Sequence, residues 1–293
     1  MDRRHFLGLS ALAVGGVSAM QLKDLAQQAR DAGSGPRMPS LFIGHGNPMN
    51  ALYDNAFTRR LGELGRTLER PKAVLVVSAH WLTPGATMVA VSPRPATIHD
   101  FGGFPDELFR VEYPAPGAPE AAHKAAAAIT SLKVHEDHDM GLDHGAWTIL
   151  RHMWPAADVP VFQLSINWGL SPAQHHALAR EIAALRNDGI LVLGSGNVVH
   201  NLGRLNWNDP AGPAFDWAEQ FDAFVADRLA TGDHAALVDY ERLGSVARMA
   251  HPTNDHYLPL LYTVGAADPK ASLQVLYTGM EMGSISMRCF QLG

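Results

Sequence analysis

Ala73-Val74-Leu75-Val76-Val77-Ser78-Ala79-His80-Trp81 is a short run of valine-rich apolar residues that ends in a histidine. A run of this length, β-branched and without polar alternation, reads as a strand buried on both faces. The same pattern recurs along the chain. Pro39 to Ile43 leads into Gly44-His45-Gly46, and Ile190 to Leu193 leads into Gly194-Ser195-Gly196-Asn197-Val198-Val199-His200. A fourth apolar run spans 160–166, and 88–91 and 273–277 are further candidate strands. Helical patterns over 54–69, 117–132, 142–153, 171–186, 213–230 and 233–242 lie among these runs. Ser171-Pro172 is a helix start, with serine as N-cap and proline in the first turn. Strands alternating with helices predict an α/β fold: a mixed, mainly parallel sheet covered by helices on both faces. Residues 38–293 contain no repeat and no long linker, so they read as a single catalytic domain.

The composition fits a compact enzyme. Hydrophobic residues make up 47% of the 293 and charged residues 18%. A net charge of −6 without a basic block argues against nucleic acid as a partner. The single cysteine, Cys289, excludes an internal disulfide and a thiolate zinc site, whereas there are 15 histidines. Residues 1–19 have the layout of a secretory signal: Arg3-Arg4-His5-Phe6-Leu7, a short apolar stretch, then Val17-Ser18-Ala19. The paired arginines resemble a twin-arginine signal, which implies the twin-arginine export machinery as a partner and a periplasmic location. The apolar stretch is too short for a membrane anchor. Residues 20–37 read as a polar linker.

Open α/β sheets collect reactive groups at the carboxyl ends of their strands. His45, His80 and His200 follow strand-like runs, and neutral imidazole is the commonest protein metal ligand. Asp143-His144-Gly145 precedes a helix that would hold an imidazole rigidly. In His251-Pro252-Thr253-Asn254-Asp255-His256 the two histidines are five apart and do not share a helical face. Pro252 is expected to open a helix, with His251 outside it and His256 in an early turn, facing inward. Apart from His99, the remaining histidines read as structural. The chain has neither a His-Glu-x-x-His zinc helix nor a Gly-x-Ser-x-Gly elbow. Gly194-Ser195-Gly196 reads as a turn. The stretch from Ile98 to Gly117 is a loop rich in glycine, proline and aromatics. Its Phe101, Phe104 and Tyr113 either wall a pocket for a flat ring, with His99 as polar contact, or staple a surface excursion.

Eight motifs stand together in a family's order: Gly44 to Pro48, Ser78 to Trp81, Ile98 to Pro105, Tyr113 to Gly117, Leu142 to Trp147, Gly194 to Asn201, His251 to His256 and Gly283 to Ser286. On these the chain resembles the DOPA 4,5-dioxygenase-type proteins of the class III extradiol ring-cleaving superfamily, over residues 38–293. The resemblance implies an oxidoreductase that opens a DOPA-like catechol with O2 to a muconic semialdehyde. It implies His45, His80 and His256 as metal ligands. His200 would sit at the metal edge, as a fourth ligand of a zinc form or as the acid–base group of an iron form. His144 would contact substrate or dioxygen. Wider relatives hold iron with two histidines and a carboxylate. Here the third position is His256 with Asp255 beside it, which leaves Fe(II) and Zn(II) both open as the cofactor. The alternative is a zinc hydrolase or a non-catalytic zinc-binding protein on the same fold.

Overall fold

A computed structural model describes residues 37–293, and Arg37–Gly293 form one compact unit. The expected leader, and the linker up to residue 36, lie outside the described residues.

Six strands build the main sheet: β1 (Ser40–Gly44), β2 (Ala73–Ser78), β3 (Val161–Gln163), β4 (Ile190–Gly196), β5 (Leu273–Tyr277) and β6 (Cys289–Leu292). Their spatial order is β3-β2-β4-β1-β6-β5. The first four are parallel, while β6 runs antiparallel to β1 and β5 antiparallel to β6. The sheet is therefore mixed and mainly parallel.

Alternation along the strands sends side chains into two cores. Leu41, Ile43, Val74, Val76, Leu191 and Leu193 face one, with Phe57, Leu61 and Leu64 of α1 (Ala56–Thr67). Phe42, Leu75, Val77, Ile190 and Val192 face the other, with Ala122 and Ala125 of α2 (Pro119–Ala128). Trp147 and Leu150 of α3 (His144–Met153) join the first core. Leu178 of α4 (Pro172–Glu181), Phe221 of α5 (Asp216–Thr231) and Leu261 of α6 (Leu258–Ala266) join the second. Helices thus cover both faces. Burying each such large side chain stabilises the fold by about 1.5–3 kcal/mol, which is why strands without a polar face are stable here.

Several expectations need correction. The run 160–166 divides: Val161–Gln163 enters the main sheet, while Ile166–Asn167 pairs with Leu82–Thr83. The strand near 88–91 is Thr87–Ala90, and it pairs with Val134–Asp137 outside the main sheet. Gly194-Ser195-Gly196 is strand, paired with β1 throughout and with β2 through Ser195, and not a turn. Its glycines answer a close approach: a Cβ on Gly194 would collide with Pro259 O, and one on Gly196 with His256 O. Pro252 opens no helix. Residues 251–257 form a loop, and α6 starts at Leu258 with Pro259 in its first turn.

Candidate metal centre

The site is built at the carboxyl ends of the three central parallel strands. Gly44 of β1 lies opposite Gly196 of β4, and Ser78 of β2 opposite Ser195. His45 and His80 continue the first two strands past these pairs. Beyond β4, the His200 N–H donates to Ala250 O at 2.9 Å, which ties it to the segment leading into the 251–257 loop. Asp143 caps α3 by accepting from the Ala146 N–H, and its Oδ1 also accepts from Ser78 Oγ at 2.6 Å. This cap fixes His144 against the end of β2. Gly145 lacks a Cβ because one would press on Ser78 Oγ and His80 Cδ2.

Five histidines converge there. The rings of His45, His80 and His256 lie 5.0–5.3 Å apart between centroids. His144 sits 3.8 Å from His80, and His200 stacks on His256 at 3.4 Å with planes 7° apart. Among the described residues, potential ligand atoms fall into two close groups, His45–His80–His144 and His200–Asp255–His256. The trio His45, His80 and His256 spans both. His256 joins the cluster, whereas His251 turns away: its Nε2 donates to Val198 O at 2.7 Å and its ring packs on Phe221 and Tyr257.

Hydrogen bonds set the tautomers. His45 Nδ1 lies 3.0 Å from Ser195 Oγ, whose own proton goes to Gly145 O at 2.6 Å. The serine oxygen is then an acceptor, so His45 carries its proton on Nδ1 and leaves Nε2 bare. His256 Nδ1 donates to Asp255 Oδ2, which likewise frees its Nε2. Asp100 accepts from the His144 backbone N–H at 2.8 Å and from His144 Nδ1 at 2.9 Å. The same carboxylate lies 3.6 Å from His80 Nδ1. His80 Nε2 then faces His45 Nε2 at 3.1 Å.

Burial keeps the rings of His45, His80, His200 and His256 neutral. Desolvation, helped by the neighbouring histidines, holds His45 and His256 well below the ordinary imidazole range. Burial likewise lowers His80 to about 3 and His200 to about 4. It pushes the Asp143 carboxyl up to about 6, and Asp143 Oδ2 has no hydrogen-bond partner. Burial alone would raise Asp100, but the hydrogen bonds from His144 outweigh it and hold the carboxyl low.

Two of the three loop aromatics lie near the cluster. Phe101 meets His144 edge-on at 5.6 Å, and Phe104 meets Phe101 at 5.4 Å. His99 lies 5.8 Å from Phe101, with its Nε2 donating to Val111 O at 3.0 Å. Tyr113 is a correction. It is only 2% exposed and its hydroxyl donates to Trp154 O, so it serves the core and walls no pocket. Sequence reasoning passed over Ser195 and Asp100. Asp100 stands beside His99 in a quoted motif, and Ser195 lies between two glycines at a strand end. Asp255, which stands beside the third ligand position, is the hydrogen-bond partner of His256.

Comparison with known proteins agrees with this architecture. Residues 41–288 match the family model described as the catalytic LigB subunit of aromatic ring-opening dioxygenase. The chain is 44% identical over 265 residues to a 4,5-DOPA dioxygenase extradiol of Escherichia coli (strain K12), covering 89% of this chain and 96% of that protein. It is 35% identical over 256 residues to a 4,5-DOPA dioxygenase extradiol of Beta vulgaris, covering 84% and 93%. A crystal structure of an uncharacterized E. coli K12 protein superposes with a TM-score of 0.76 at 40% identity, over 88% of this chain and all of that one. The chain belongs to the LigB family of aromatic ring-opening dioxygenases and is an oxidoreductase of its extradiol class.

Proposed function

We propose that this enzyme opens the ring of a DOPA-like catechol beside the diol, using Fe(II) held by His45, His80 and His256, to give a muconic semialdehyde. One observation carries the reading: the Nε2 atoms of His45 and His80 face each other 3.1 Å apart. With the proton of His45 held on Nδ1 by Ser195, and Asp100 beside Nδ1 of His80, two lone pairs oppose one another. A divalent metal held by these two nitrogens would turn that repulsion into attraction. The all-imidazole donor set accepts iron or zinc. Bound Fe(II) would supply the O2 chemistry that no side chain offers.

The chain's own residues supply the rest. Phe101 and Phe104 flank the histidine cluster with apolar surface on which a flat ring packs. The rings of His200 and His256 are nearly parallel and stacked. An imidazole lone pair lies in its ring plane, so the lone pairs of these two stacked rings lie in separate, nearly parallel planes and do not converge on one ligand position. That favours His200 as the group that takes the catechol proton and later returns one, rather than as a fourth ligand. His144, oriented by Asp100, keeps Nε2 for a catechol hydroxyl or oxygen. The names of the E. coli and Beta vulgaris relatives support a DOPA-like substrate.

The test is reconstitution. Protein purified without oxygen and loaded with Fe(II) is expected to consume one O2 per catechol and form a yellow semialdehyde, while the Zn(II) form does neither. Ester hydrolysis by the Zn(II) form, with no catechol opened by the Fe(II) form, overturns the reading. We further propose export to the periplasm in the folded state, supported by Arg3-Arg4. Changing both to Lys is expected to retain the protein in the cytoplasm. Normal periplasmic accumulation of that variant rules the route out.

A further inference from the structure

We propose that Ser195 is a positioning residue that selects which nitrogen of His45 is offered to the metal. The inference rests on the metal-site reading above but reaches a residue to which the resemblance assigned no role.

One proton decides the tautomer. A serine hydroxyl has a single hydrogen, and a carbonyl can only accept. At 2.6 Å, Gly145 O takes that hydrogen. The Ser195 oxygen therefore turns its lone pairs toward His45 Nδ1, 3.0 Å away. A neutral imidazole whose Nδ1 is a donor has a bare Nε2.

The hydroxyl cannot easily wander. Ser195 is fully buried, and it is paired in the ladder with Ile43 on one side and Ser78 on the other. The glycines flanking it lie against the 256–259 backbone, where a Cβ would collide. The strand is thus clamped at this point, and so is its hydroxyl.

The opposite tautomer has an attractive alternative. With its proton on Nε2, His45 would donate directly to His80 Nε2, 3.1 Å away. That hydrogen bond would satisfy both nitrogens without a metal and would have to break before one could bind. Ser195 disfavours it. The remaining cluster histidines near carboxylates are oriented by charge, from Asp100 and Asp255. His45 is oriented by a neutral hydroxyl tied to the first turn of α3. The carbonyl of Gly145, next to His144, therefore takes part in setting the tautomer of a ligand from another strand.

The experiment uses the full chain with ¹⁵N-labelled histidine, stripped of metal by a chelator at neutral pH. Long-range proton–nitrogen correlation spectra report which nitrogen of His45 bears the proton. The wild type is expected to show Nδ1–H, and Ser195→Ala a mixture or Nε2–H. Zn(II) affinity, measured by competition with a coloured chelator, is expected to fall roughly 10- to 100-fold in Ser195→Ala, the usual range for losing a partner of a metal-binding histidine. Ser195→Thr, which restores a hydroxyl, is expected to recover most of it. A wild-type His45 protonated on Nε2 overturns the proposal even if Ser195→Ala fails to fold. Unchanged tautomer and Zn(II) affinity in a folded Ser195→Ala overturn it as well. Because neither readout involves a catechol, failure of ring opening with the tautomer intact counts against the proposed function alone.

Discussion

His200 and His256 lie face to face, and that arrangement separates two roles that are chemically alike in isolation. If His200 moves protons and binds no metal, His200→Ala should keep most bound Fe(II), as read by metal analysis. Its ring-opening rate should fall roughly 100- to 10,000-fold, the usual loss for a general acid–base group. His80→Ala should lose the metal itself. Equal metal loss in both variants would make His200 a ligand. The histidines of the cluster were legible in the sequence because each stands within a few residues of a strand end or a helix start. Their partners were not. Ser195 and His45 are 150 residues apart, and Asp100 and His144 are 44 apart. No local pattern encodes a hydrogen bond across such distances. Tyr113 misled for a related reason: an aromatic in a Pro/Gly loop reads as a pocket wall until its hydroxyl is found satisfied in the core.

At the scale of elements, the contact between β4 and the segment leading into α6 is the tightest constraint on the site. Gly196→Ala would drive a methyl group into His256 O. Such overpacking typically costs about 1–3 kcal/mol, and here relief requires moving the backbone that carries His256. Urea denaturation should show the loss of stability, and Zn(II) competition a weaker site. Wild-type values in both would mean that the segment yields freely. The central strands were readable because a buried parallel strand is a short unbroken apolar run. β6 was not, since Cys289–Leu292 is only four residues long and bears no turn signal before it. α6 was expected several residues too early. All nine of its residues are buried, so it lacks the apolar–polar period by which a surface helix is recognised. The proline that opens it is Pro259 rather than Pro252, because the chain needs the intervening loop to place His256.

For the molecule as a whole, buried neutral histidines make stability depend on pH. His175 lies outside the cluster, fully buried, with Nδ1 on Tyr262 and Nε2 unpartnered. Burial lowers it to about 4 from its ordinary 6.5. Above 6.5 neither the folded nor the unfolded chain protonates it. As pH falls from 6.5 toward 4 the unfolded chain takes the proton first, so stability declines, by up to about 1.4 kcal/mol per pH unit. Denaturation at several pH values should show this slope in the wild type and a shallower one in His175→Phe. An identical slope in both would place the dependence elsewhere. The position of β6 reaches further still. Ser40 and Leu292 are neighbours in the sheet, yet 252 residues separate them in the chain. A ladder of such high contact order forms slowly, because the entropy of closing the loop must be met before the pairing returns anything. Until that segment arrives, β1 has an open edge on the side β6 will fill, and such an edge invites pairing with other chains. The strand that leads into His45 is thus among the last to be enclosed, and its open edge is where a partly folded chain would pair with another.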